Sequence, residues 1–167
     1  MISGALISIH RGGGTAGVGD GTLGAPTNYM IPSSSIRGLA AADFNSDGIL
    51  DLASTGNVNI VVRLGGGTGG VGDGTFGAGV TYPTSAGTRD IAVADFNEDG
   101  IDDLVVTREN FSIAFFRGNG TAGIGDGTFA APVDLATCQT PVAVAAADFD
   151  HDAHADLAVA CATSMLS

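Results

Sequence analysis

The chain has 167 residues and a formal net charge of −12, with sixteen Asp and two Glu against six Arg and no Lys. Such a balance leaves no basic footprint for nucleic acid and disfavours anionic membrane surfaces, while 44% hydrophobic content is too high for a disordered acidic tail. No apolar run reaches the roughly 20 residues of a membrane span, and the length suits one domain with a real core.

In chain order, the opening MISGALISIHRGGG lacks a charged n-region and alternates like a strand, so it does not read as a signal peptide. Residues 4–9 form the first predicted strand, followed by the Gly-rich turn GGGTAGVGDGTLGAP at 12–26. An Asp-rich turn, DFNSDGILDLA, comes at 43–53, then a strand at 57–62 and GGGTGGVGDGTFGAG at 65–79. The order recurs with a strand at 90–94, DFNEDGIDDLV at 95–105, a strand at 111–116, GNGTAGIGDGTFAAP at 118–132 and a strand at 132–135. DFDHDAHADLA at 148–158 begins it once more, and the sequence stops just after a strand at 156–161.

Thr15, Thr68 and Thr121 are 53 residues apart, and the Asp-rich turns recur at 52 and 53. Four β-rich runs per period, with Gly, Asn and Asp between them and no helical periodicity, predict an all-β chain of β-propeller blades, each a four-stranded antiparallel sheet. Consecutive apolar positions within the runs suit sheets covered on both faces. The phase assigns residues 1–35 to strands 3 and 4 of a split blade, 36–87 and 88–140 to complete blades, and 141–167 to strands 1 and 2 of a split blade. Twelve strands make three blades' worth, fewer than the four to eight that close a ring. A head-to-tail homodimer completes both split blades as a six-bladed ring; a piece of a longer chain is the alternative.

The Asp-rich turns carry the chemistry. Oxygens at alternating positions of a tight loop form a hard cage for Ca²⁺, which takes six to eight such ligands. The first set is Asp43, Asn45, Asp47, the Ile49 carbonyl and Asp51; the second is Asp95, Asn97, Asp99, the Ile101 carbonyl and Asp103. The third is Asp148, Asp150, Asp152, the His154 carbonyl and Asp156, with Ala153 where a left-handed Gly is expected. Unmetallated, several carboxylates this close repel one another. The loops lack the flanking helices and position-12 Glu of an EF-hand, so up to three Ca²⁺ per chain are expected at a different kind of site. A solvated Asx-rich hairpin is the plainer reading.

The Gly-rich turns are not phosphate loops, since no Lys-Ser/Thr and no helix follows. Ser8 with His10 makes no triad, and His151 and His154 make no zinc site; His151 is expected on the surface. Cys138 and Cys161 fall at the same end of one blade, which makes them a disulfide candidate and fits an oxidising compartment. Two buried thiols are the alternative.

The D-x-[DN]-x-D-G-x-x-D loops followed by a strand, with the G-x-G…DGTF turns, resemble the FG-GAP/VCBS repeats that form the blades of integrin α-chain heads and of secreted propellers. The resemblance implies one Ca²⁺ per loop, a secreted or extracellular setting, and a binding or scaffold role rather than catalysis. Where the family has a short GNGDGTF turn, this chain has the longer GNGTAGIGDGTF. The resemblance also places ligands on the face opposite the calcium loops, which holds Tyr29, Arg37, Asn57, Tyr82, Arg89, Arg108, Glu109 and Asn110. Arg37, Tyr82, Arg89, Arg108 and Asn110 are the candidate ligand residues, a mix that suits a polar or anionic ligand; ordinary solvated loops are the plain alternative.

The function expected is a non-enzymatic, calcium-stabilised propeller module that recognises carbohydrate or protein through its loops. The absence of Trp argues against rich sugar-stacking platforms. The alternative is an accessory propeller of a secreted polysaccharide-active enzyme of the lyase or dehydratase type. No catalytic residues stand out.

Overall fold

A computed structural model describes residues 4–15, 18–33 and 35–162. The described residues form eighteen strands and no helix. β1 (Ala5–Ile9), β2 (Gly12–Thr15), β3 (Val18–Leu23) and β4 (Thr27–Ile31) come first, then β5 (Leu39–Ala42), β6 (Asp51–Thr55), β7 (Asn59–Arg63), β8 (Gly65–Thr68), β9 (Val71–Phe76) and β10 (Val80–Pro83). The next repeat supplies β11 (Thr88–Ala94), β12 (Asp103–Arg108), β13 (Ser112–Phe116), β14 (Gly118–Thr121), β15 (Ile124–Phe129) and β16 (Val133–Ala136). β17 (Pro141–Ala147) and β18 (Asp156–Cys161) end the described chain.

Two antiparallel sheets are four-stranded, in the order β5-β6-β7-β10 and β11-β12-β13-β16. β1 pairs with β4 and β17 with β18 as two-stranded sheets, and among the described residues no sheet closes on another. The innermost strands β5, β11 and β17 follow one another, so the sheets fan outward from a common side.

The Gly-rich turns carry pairings beyond the four strands expected per blade. Each is a two-stranded ribbon of its own, β2–β3, β8–β9 and β14–β15, which raises twelve strands to eighteen. The ribbons need glycine for a steric reason: a Cβ on Gly67 would lie 2.1 Å from the Val71 carbonyl oxygen. Ile49 and Ile101, both buried, tie the first two Asp-rich turns to the ribbons that follow them.

The main core lies between the two four-stranded sheets. Ile60 and Val62 face Leu104, Val106 and Phe116 across it, and all are buried. A smaller core joins Ile7 and Ile31 to Val61 of the next sheet. Tyr82 bridges the main one: its ring meets Phe116 and Phe129 edge-on at 6.5 and 5.8 Å, and its hydroxyl accepts from Phe129 N at 3.3 Å. Tyr29 does the same one repeat earlier, accepting from Phe76 N at 3.0 Å.

Cys138 and Cys161 form a disulfide with Cα atoms 6.0 Å apart, linking the approach to β17 with the end of β18. Closing a 23-residue separation restricts the unfolded chain by about 3 kcal/mol. Reduction is expected to lower stability by about that amount, measured by urea unfolding with and without dithiothreitol; equal midpoints would show that the bridge adds nothing.

Candidate metal centre and the opposite loop face

The acidic turns share one internal scaffold. In the first, Asp43 accepts from the amides of Asp47 at 3.1 Å and Gly48 at 2.7 Å, and Asp47 accepts from Ile49 N at 2.8 Å. The second repeats it, Asp95 accepting from Asp99 N and Gly100 N at 3.1 and 2.7 Å, and Asp99 from Ile101 N at 3.0 Å. In the third, Asp148 accepts from Asp152 N and Ala153 N at 3.2 and 3.0 Å, and Asp152 from His154 N at 2.9 Å. Asn45 and Asn97 each accept from the amide two residues on, at 3.2 and 2.9 Å, as Asp150 does at 3.2 Å.

This scaffold forces two left-handed residues per turn. Ser46, Glu98 and His151 take φ of 56°, 59° and 65°, and Gly48 and Gly100 take 82°. Ala153 adopts φ 73° at the glycine position, so the turn keeps its shape against a Cβ penalty of about 1–2 kcal/mol.

The ninth position closes each turn. Asp51 and Asp103 are buried, accept from Phe44 N and Phe96 N at 2.8 and 3.1 Å, and also accept from Gly65 N and Gly118 N of the next ribbon at 2.7 and 2.8 Å. Burial pushes both carboxyls above their usual range, and the neighbouring acids of the turn push the same way. Asp102 is raised by burial as well, with Asp95 and Asp43 adding to it.

The donor set fits a hard divalent cation. Carboxylate oxygens of Asp148, Asp150 and Asp156 lie within 4.8 Å of one another, a span that one ion with oxygen distances of about 2.3–2.6 Å can bridge. The same alternation places Asp43, Asn45, Asp47 and Asp51, and Asp95, Asn97, Asp99 and Asp103, around their own turns. His151 is exposed, and the His154 ring pairs with the Glu98 carboxylate of the preceding turn, a contact that raises the imidazole pKa.

The opposite face regroups the candidate ligand residues. Arg37 and Arg89 converge on one carboxylate oxygen of Glu109, at 2.6 and 3.3 Å. The hydrogen bond from Arg37 is the main cause holding Glu109 below its usual range. Asn110 is exposed and accepts from Ser112 Oγ at 2.5 Å. Two residues leave the group. Arg108 is 0% exposed, its guanidinium donating to Ser85 Oγ at 2.6 Å and Ser112 Oγ at 2.8 Å and pairing with Asp134 at 2.6 Å. Tyr82 is spent between the sheets, as described. A charged strand end reads as solvated; it is buried here because the Glu109–Asn110 turn brings Ser112 back beside it.

A family model described as an FG-GAP-like repeat matches residues 47–106 and again 99–159. The chain belongs to the FG-GAP-like repeat family. The two matches start 99 − 47 = 52 residues apart, the spacing of the acidic turns themselves. No curated protein and no solved structure matched. FG-GAP-like repeats suggest propeller-type binding or scaffold modules, typical of extracellular proteins, and the antiparallel all-β repeats and disulfide agree with that class. Among the described residues no helix is long and apolar enough to cross a membrane.

Proposed function

We propose that the chain is a calcium-stabilised β-propeller module, extracellular and non-enzymatic, that recognises carbohydrate or a protein partner through its loops. Its ring has six blades, contributed by two chains head to tail. The observation that carries calcium is the threefold recurrence of one turn scaffold, down to the left-handed Ala153, with the carboxylates of the third turn gathered within a single ion's reach. Retaining that scaffold without a cation sets like charges against one another.

The recognition surface proposed is the Arg37–Glu109–Arg89 group with Asn110. Two guanidinium groups on one carboxylate leave a net positive spot on a chain of net charge −12. Such a spot suits an acidic sugar or a carboxylate-bearing segment of a protein. A glycan array probed in calcium is expected to yield acidic glycans, with binding reduced about tenfold or more by Arg89→Ala. Polysaccharide turnover would overturn the non-enzymatic reading, and binding indifferent to both Arg37→Ala and Arg89→Ala would move the surface elsewhere.

A further inference from the structure

The junction between the two complete sheets shows what the two uncovered edges lack. There, Phe44 of the first acidic turn is 2% exposed, its ring meets Phe129 edge-on at 5.3 Å, and its carbonyl accepts from Gly127 N at 3.0 Å. Ser46 Oγ accepts from Gly125 N of the same ribbon at 2.9 Å. At the two outer edges these contacts lose a partner. Phe149, in the place of Phe44, is 55% exposed. Gly72, Gly74 and Phe76, in the places of Gly125, Gly127 and Phe129, line an open cavity of about 380 Å³.

The sheet faces tell the same story. Phe96, Val105, Ile113, Phe115 and Leu135 hold the places of Phe44, Ala53, Ile60, Val62 and Tyr82, residues that belong to the main core. They line an apolar groove of about 270 Å³ with Leu157. Asp156 accepts from Phe149 N at 2.9 Å as its counterparts do, yet among the described residues no amide donates to its second oxygen. Gly12 holds the place of Gly65 and Gly118, which donate to Asp51 and Asp103.

The geometry points to a second copy of this chain as the occupant of both edges. The inference rests on the six-bladed ring proposed above and specifies how its open edges recognise each other. β1 of one copy lies beside β18 of the other, in the register set by Ala53↔Val62 and Val105↔Phe115, which gives Ala158↔Ile9, Val159↔Ser8 and Ala160↔Ile7. Gly12 N donates to Asp156, Phe149 enters the cavity beside Phe76, and the β1–β4 pair covers the groove at Leu135.

A paired exception in the repeat selects this chain over another blade as the partner. Tyr29 packs on Phe76 and Tyr82 on Phe129. At the remaining phase both members change together, Tyr to Leu135 and Phe to Leu23, and these stand 47% and 71% exposed. The wiring brings Leu135 of one copy onto Leu23 of the other, apolar against apolar.

Sedimentation equilibrium of the calcium-loaded chain is expected to give twice 16.4 kDa, and Phe149→Asp to weaken the pair about 100-fold with unchanged far-UV circular dichroism. Ser8→Cys with Val159→Cys is expected to give an interchain disulfide on a non-reducing gel. Ser8→Cys with Ala158→Cys, one residue out of register, is expected to give none. A wild-type mass of 16.4 kDa rejects the ring and the wiring with it. A wild-type dimer untouched by Phe149→Asp, with no register-specific crosslink, leaves the ring standing and rejects this wiring.

Discussion

Calcium added to EDTA-stripped protein at neutral pH is expected to raise the melting temperature by about 10–20 °C. A site at a hundredfold excess of ion over its Kd contributes about 2.7 kcal/mol, and each kcal/mol shifts a chain of this size by about 2–4 °C. Two occupied turns therefore suffice. The pH dependence gives the sign. Burial holds Asp51 and Asp103 above the usual carboxylate range. In metal-free protein, the stability linked to their protonation is full below that usual range and is lost as pH rises through their folded pKa values. The calcium increment runs the other way, because ligand carboxylates must be ionised to bind. The gap between the calcium and EDTA melting curves is thus expected to widen from about pH 4 to about pH 7. Identical curves at pH 7 would remove calcium from the account.

Asp134→Ala is expected to destabilise the chain by about 3 kcal/mol, the low end for removing one partner of a buried ion pair. The low end applies because Arg108 is fully buried while the Asp134 side chain is 54% exposed. Without Asp134 the guanidinium keeps only the hydroxyls of Ser85 and Ser112. Arg108→Met removes the buried charge together with its demand for a partner, so its loss is expected to be smaller. Urea titration of the two variants decides: a larger loss for Arg108→Met would show that packing, not charge, holds that corner.

Much of the fold was legible because the repeat exposes it. Two motifs sharing one period mark the strands of each sheet, and Asp, Asn and Gly at alternating positions mark the acidic turns before any geometry is known. The ribbons were not legible by the same signals. GGGT and VGDGTF lack the β-branched density of a strand, and their pairing follows from how closely two glycine backbones approach. A Cβ on Gly100 would meet Gly123 Cα at 3.0 Å, a contact between turn and ribbon that composition alone does not reveal. Arg108 and Tyr82 were misplaced for a related reason. Each is polar and near a strand end, which reads as surface; Arg108 is covered by the returning Ser112 together with the distant Ser85, and Tyr82 is half-buried against Phe129, 47 residues on. The convergence of Arg37 and Arg89 on Glu109 is likewise invisible in one dimension, since it joins residues 72 apart.

The two complete sheets draw all their strands from unbroken stretches, residues 39–83 and 88–136. That has a consequence for how the chain comes off the ribosome. The first sheet can reach its full set of pairings while the second is still being translated, and folding of such arrays propagates from whichever unit forms first. Neighbours built on the same repeat carry a hazard of exchanging strands, and vectorial synthesis limits it by finishing one sheet before the next exists. Refolding from denaturant, where all copies compete at once, is accordingly the harsher route to the native state.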